Sequence, residues 1–264
     1  MNKKIIIPAL VVLILAIIAG IVFISTNKKY EIPILMYHHL CESEKDVNSQ
    51  TVTAEKFESD LKWLSENGYR TILPREMVEN KSKHGYVPNG KEVIITFDDG
   101  YKSNYELAFP LLKKYNAKAE ISVITFMIDD SDLIHPYFCN WDMLKEMTES
   151  GLVEIGSHSD NMHNPDNNGE MYSNEANGLK RYSKEEALAD AKVSFEKIKN
   201  GTGRAPATFA YPYGEINKDA EKQLGEYFPV TMITATRMAN TWKDFTRLGR
   251  FRIDQNTNLS DVLK

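Results

Sequence analysis

Cysteine is scarce in this chain: of 264 residues only Cys41 and Cys139 carry a thiol. Two cysteines do not make a disulfide framework, so a small stapled scaffold is excluded. A single bridge and two buried free thiols both remain open. No internal repeat is visible. Basic residues are also short beyond the N-terminus. All 37 acidic residues but only 28 of the 32 lysines and arginines lie past residue 29, which leaves that part at net −9. Such a surface disfavours nucleic acid as a partner, and long-range attraction of a strongly anionic polymer as well. It suits a neutral substrate.

One long apolar run is present, Ile5 to Ile24, uncharged and preceded by Lys3 and Lys4. Twenty such residues suffice to cross a hydrocarbon core of about 30 Å. No clear Ala-x-Ala cleavage site closes the run, and no cysteine stands there to carry a lipid. Residues 1–29 therefore read as a signal anchor and linker, with a cleaved signal peptide as the alternative. Lys28 and Lys29 on the far side make the charge bias weak. A large domain over 30–264, placed outside a single-pass cell-membrane anchor, is the expected arrangement.

Within that domain strands and helices alternate. Pro33–Tyr37 reads as a first strand ending in His38-His39. Ala54–Asn67 has helical spacing, with Phe57, Leu61 and Leu64 on one face, Thr53 as N-cap and Gly68 as terminator. Val93-Ile94-Ile95 is a buried strand, residues 103–115 a helix apart from Pro110, and Ala119–Thr125 a strand. Trp141–Ser150 is helical and the strand Leu152–Ile155 follows. A long polar stretch, 164–182, precedes a helix capped by Ser183. Strands at Thr208–Tyr211, near Val230–Ile233 and near Leu248–Ile253 complete the chain. Repeated alternation argues for an α/β fold with a parallel sheet.

The chemistry concentrates where strands end. Thr96-Phe97-Asp98-Asp99-Gly100 leaves its strand with two adjacent carboxylates and a glycine for the turn. Like charges held together call for a counter-charge, and a divalent metal supplies one. His158 and His163 follow the next strand but one. One carboxylate and two imidazoles describe a catalytic metal site with open positions, and the second carboxylate is then free to act as a base. His38, Asp98, Asp99, His158, His163 and Tyr213 all fall at or just after the carboxyl ends of predicted strands, the catalytic face of a barrel.

Together these residues resemble the polysaccharide deacetylases, the NodB-like carbohydrate esterases of family 4, over roughly residues 33–254. Thr96–Gly100 resembles the first family motif, which implies Asp98 as general base and Asp99 as metal ligand. Glu154–Ser159 resembles the approach to the second, with His158 and His163 as ligands. Their separation is one residue longer than the common pattern and resembles the subgroup acting on poly-β-1,6-N-acetylglucosamine. Phe209-Ala210-Tyr211-Pro212-Tyr213-Gly214 resembles the third motif, which implies the Tyr213 backbone N–H as an oxyanion donor. The arginine usual at position 210, which braces the base, is replaced by Ala210, and Arg252 in the last strand is the candidate substitute. No histidine follows His163. The usual catalytic acid then resembles His38, moved to the start of the domain as in the same subgroup.

The resemblance implies a distorted (β/α) barrel, preceded here by one transmembrane helix. It also implies one divalent metal, zinc first and cobalt or nickel next, and N-deacetylation of a GlcNAc-containing polysaccharide. Proteins of polysaccharide synthesis or export are conceivable partners. A peptidoglycan deacetylase is the alternative. A non-catalytic glycan-binding protein on a degenerate deacetylase fold, suggested by Ala210 and the missing C-terminal histidine, is the reading of another class.

Overall fold

The computed structural model describes residues 32–84, 91–129, 137–163, 182–236 and 245–263. The apolar run 5–24 and all but the last residue of the polar stretch 164–182 lie outside them. Among the described residues no helix is long and apolar enough to cross a membrane.

The chain runs β1 (Ile34–Tyr37), β2 (His39–Cys41), β3 (Thr51–Thr53), α1 (Ala54–Glu66), β4 (Arg70–Thr71), α2 (Pro74–His84) and β5 (Glu92–Asp99). A π-helical turn (Asn104–Ala108) leads into α3 (Phe109–Tyr115), then β6 (Ala119–Val123), α4 (Thr125–Asp129), α5 (Trp141–Glu149) and β7 (Val153–Ser157). The last elements are α6 (Lys184–Thr202), β8 (Thr208–Ala210), α7 (Glu221–Tyr227), β9 (Val230–Met232), β10 (Phe251–Arg252) and α8 (Leu259–Val262).

Local chemistry explains these boundaries. Thr53 Oγ1 accepts from the Lys56 N–H at 3.0 Å and opens α1, whose Phe57, Leu61 and Leu64 are buried. Ser183 and Glu186 form a reciprocal capping box at the start of α6, and Gly203 closes that helix at φ 74°. The helix expected over 103–115 is split. Pro110 has no N–H to donate to residue 106, and the turn before it opens to the wider π form. Cys41 and Cys139 are buried free thiols.

The large sheet has the order β10-β1-β5-β6-β7-β8-β9, with β4 beside β5, and its pairings are parallel. Leu248 exchanges backbone bonds with Thr231 (2.8 Å) and Ile233 (2.9 Å) beside β9, and Ile253 N–H reaches Met36 O on β1 at 3.0 Å. The segment 248–253, which contains β10, thus links β1 to β9 across a curled sheet. Side chains alternate along each strand, so the curl has two faces. Leu35, Ile95, Phe97, Ala119, Ile121, Val153 and Ile155 point outward and pack with Phe57, Leu112, Leu144 and Met147 of the helices. Ile34, Ile94, Ala210, Val230, Met232 and Leu248 fill part of the interior. Full burial of a side chain such as Phe97 stabilises by about 1.5–3 kcal/mol.

The interior also holds a polar belt. Glu120, fully buried, accepts from Ser122 Oγ at 2.7 Å and from Thr208 Oγ1 at 2.6 Å. Burial pushes its carboxyl up to about 8, against the pull of those two hydroxyl bonds. Gly156 passes so close that a Cβ there would sit 1.9 Å from both Glu120 Oε1 and Thr208 Oγ1. This belt lies below the carboxyl end of β5, where the two aspartates stand.

Candidate active site

At the end of β5 the register places Asp98 beside Ser122 and Asp99 beside Val123. Asp98 is 1 % exposed and continues the inward alternation. Asp99 adopts φ 74° and Gly100 φ 85°, so the backbone turns over in the left-handed region at two successive residues. The glycine is needed there: a Cβ at Gly100 would meet Val123 Cγ1 at 2.9 Å. The reversal presents both carboxylates at the same opening although they are sequence neighbours.

Asp98 is held by Arg250, not by Arg252. The Arg250 guanidinium is completely buried and donates from Nη1 to Asp98 Oδ1 (2.6 Å) and from Nη2 to Oδ2 (2.7 Å). Its remaining bonds go to Thr96 Oγ1 (3.3 Å) and Ile233 O (3.2 Å). Burial alone would raise the Asp98 carboxyl. The bidentate guanidinium and the nearby histidines outweigh it and hold Asp98 well below the usual carboxylate range.

The expectation for Arg252 is thereby corrected. Residues 250 and 252 share a strand face, but two residues advance the chain by about 7 Å. Arg252 lies that much nearer the opening, is exposed, and donates to Gln50 Oε1 at 3.1 Å. Ala210 leaves interior room, and the cation enters from the segment between β9 and β1 instead of from β8.

Asp99, His158 and His163 converge. Their candidate ligand atoms lie within 4.8 Å of one another. Asp99 Oδ1 stands 3.6 Å from His158 Nε2 and 3.7 Å from His163 Nε2. That oxygen is buried and makes no hydrogen bond. An orphaned carboxylate oxygen facing two imidazole nitrogens beyond hydrogen-bond length fits a divalent cation between them. His158 Nδ1 is 2.7 Å from Ala210 O, which orients the ring and leaves Nε2 for the cation. Burial pushes the His158 imidazole down to about 4, so the ring is neutral, as a ligand must be.

Tyr213 sits in the turn after β8 with φ 56° and stacks its ring on His163 at 4.3 Å between centroids and 22° between planes. Its hydroxyl donates to His163 O at 3.3 Å. Sequence reasoning assigned Tyr213 a backbone part only; its side chain also supports the second histidine.

His38 and His39 point apart, as strand alternation requires. His38 Nε2 faces Asp98 Oδ2 at 4.0 Å, whereas His39 meets the Tyr101 ring edge-on at 5.0 Å. Burial lowers the His38 imidazole, although Asp98 and Asp99 pull the other way. The π-helical turn supports this strand end: Asn104 Nδ2 donates to His38 O at 2.9 Å, and Leu40 N–H donates to Ser103 Oγ at 3.0 Å. Asn104, Arg250 and Glu120 all escaped the sequence reading. For Arg250 a signal existed, since Leu248, Arg250 and Arg252 alternate with Phe251 and Ile253. It named a face and not a depth.

Comparison with known proteins agrees with this geometry. The family model described as polysaccharide deacetylase matches residues 85–231. YxkH of Bacillus subtilis (strain 168) is 35 % identical over 204 residues, which are 76 % of this chain and 63 % of that protein. The poly-beta-1,6-N-acetyl-D-glucosamine N-deacetylase of Staphylococcus aureus (strain MRSA252) is 32 % identical over 182 residues, 67 % of this chain and 58 % of that one. The match thus spans less than two thirds of the length of either relative. Among solved structures, a de-N-acetylase from Aggregatibacter actinomycetemcomitans superposes with a TM-score of 0.76 at 26 % identity, covering 88 % of this chain and 98 % of the other. With a family model over more than half of its length, this chain belongs to the polysaccharide deacetylase family.

Proposed function

We propose that the protein hydrolyses N-acetyl groups of a GlcNAc-containing polysaccharide, poly-β-1,6-N-acetylglucosamine first among them. The observation that carries the chemistry is the pairing of two differently held aspartates at one opening. Arg250 keeps Asp98 ionised, and Asp99 turns a bare oxygen toward His158 and His163. The polymer is suggested by the named activity of the Staphylococcus aureus relative.

Asp99, His158 and His163 would hold a divalent cation, zinc before cobalt or nickel for this mixed set of donors. When bound, such a cation would polarise an acetamide carbonyl and acidify an attacking water. Asp98 takes the proton from that water. It is a weak base, suited to a proton already made acidic, and Arg250 fixes its orientation. His38, whose Nε2 lies 4.0 Å from Asp98 Oδ2, takes up that proton from Asp98 and passes it to the departing amine, so neither residue keeps it at the end of the turnover. The Tyr213 backbone N–H, set by the left-handed turn, steadies the oxyanion. Acetate and a glucosamine unit result. Residues 5–24, read as an anchor, would hold the domain outside the cell membrane beside the proteins that make or export the polymer.

Acetate release tests this reading. The chelated and metal-restored protein is given poly-β-1,6-GlcNAc oligomers and peptidoglycan in parallel, with Asp98→Asn as control. Metal-dependent release from the first polymer, absent in the variant, is expected. Release only from peptidoglycan would overturn the polymer assignment. Release from neither, with metal bound, would overturn the enzymatic reading for these glycans.

A further inference from the structure

His158 and His163 are five residues apart, and no helix or strand lies between them. Neither regular period brings such a pair together: helices align residues three and four apart, strands residues two apart. The two rings nevertheless lie 4.6 Å apart between centroids, and both turn Nε2 toward Asp99. Their convergence must come from what holds the loop.

That loop is tied at successive peptides. His158 N–H donates to Val123 O at 2.9 Å, Ser159 O accepts from Thr125 N–H at 3.2 Å, and Asp160 O accepts from Phe126 N–H at 3.1 Å. Ser159 takes φ 76°, a left-handed conformation that persists only where the surroundings impose it. Two peptide N–H groups on the far side of the turn are taken by the same side chain of another element. Asp190 of α6 accepts from Asp160 N–H through Oδ1 and from Asn161 N–H through Oδ2, each at 2.8 Å. Two consecutive amides on one carboxylate fix both position and orientation of the turn. The Asp160 carboxylate is not a substitute, because its Oδ1 is occupied by Thr125 Oγ1 (2.5 Å) and Lys197 Nζ (2.7 Å). Past the turn, Met162 N–H reaches Ser159 Oγ at 3.1 Å and His163 meets Tyr213.

We propose that Asp190 is a positioning residue of the metal centre: its carboxylate sets the 158–163 turn so that His163 meets Asp99. This rests on reading Asp99, His158 and His163 as the metal ligands.

Metal affinity of the full-length protein tests it. Wild type and Asp190→Asn are stripped with a chelator and titrated with Zn²⁺ against a competing chromophoric ligand. Co²⁺ absorption reports the ligand set. Asparagine keeps one acceptor and loses the other. The expected result is about a ten- to hundredfold weaker Kd, with a Co²⁺ spectrum altered toward fewer imidazole ligands. A Kd within about twofold of wild type with the same spectrum would overturn the inference, even if the metal-free Tm fell. Absence of binding in the wild type would overturn the metal-site reading itself, and the inference with it. Should Asp190→Asn fail to fold, hydrogen exchange in the metal-free wild type decides. Protection of the Asp160 and Asn161 amides before metal is added supports a preset turn, and protection that arises only with metal refutes it.

Discussion

Replacing Arg250 by methionine isolates the contribution of the buried cation to the base. The guanidinium is wholly buried and makes both hydrogen bonds of a bidentate pair with a carboxylate that is 1 % exposed. Methionine fills similar space and leaves Asp98 with the His158 and His38 imidazoles, the latter at 4.0 Å, in place of a permanent cation. Breaking a buried pair from one side costs about 3–5 kcal/mol. In the wild type the folded-state carboxyl lies below its ordinary value of 3.8, so its stabilisation is full above that pH and is lost only as pH falls further. In R250M only the histidines oppose burial, and the folded carboxyl is expected to rise above its unfolded value. The variant's deficit relative to wild type then grows as pH rises from 4 toward neutrality. Expressed wholly as proton affinity, about 3–5 kcal/mol moves the acidic limb of kcat/KM upward by roughly 2–4 pH units. Urea unfolding at several pH values and acetate release against pH measure the two effects. R250K, which keeps a point charge but not the fork, falls between. An R250M protein within about 1 kcal/mol of wild type, with its acidic limb unmoved, would refute the claim that Asp98 depends on this arginine. Arg252→Met, on the exposed side chain, is expected to change stability by no more than about 0.5 kcal/mol.

Glu120, raised to about 8 by burial, stays protonated when folded. Its contribution is full below about pH 4.5 and is lost as pH rises toward 8, so E120Q should flatten the stability curve across that window by ~2–5 kcal/mol. Equal pH slopes in urea titrations of both proteins would contradict this. Gly156→Ala drives a methyl into Glu120 and Thr208 and is expected to cost at least about 1–3 kcal/mol by the same assay; a neutral substitution would mean the belt is looser than 1.9 Å implies. His38→Gln should lower kcat by about 10²–10⁴, and His39→Gln by less than about tenfold, since only His38 faces Asp98. Comparable losses in both would remove the acid assignment from His38.

Much of this protein is legible in its sequence because the determinants are local. Strand periodicity and caps such as Thr53 and Ser183 set the order of elements, as an amide or hydroxyl acts on residues three or four away. Asp98-Asp99-Gly100 and the histidines after β7 announce their chemistry by type and by position at strand ends, and alternation alone separates His38 from His39. Tertiary structure decided what depends on depth and on contacts across the curl. Arg250 and Arg252 share a parity, and the pairing of residues 248–253 with β9 and β1 is what sinks the first and exposes the second. Glu120 looks like any strand glutamate until Thr208 and Gly156 close over it, and burial then keeps it neutral. The turn that brings His163 to Asp99 has no local period to encode it, so it is held by Asp190 from a helix that begins more than twenty residues later.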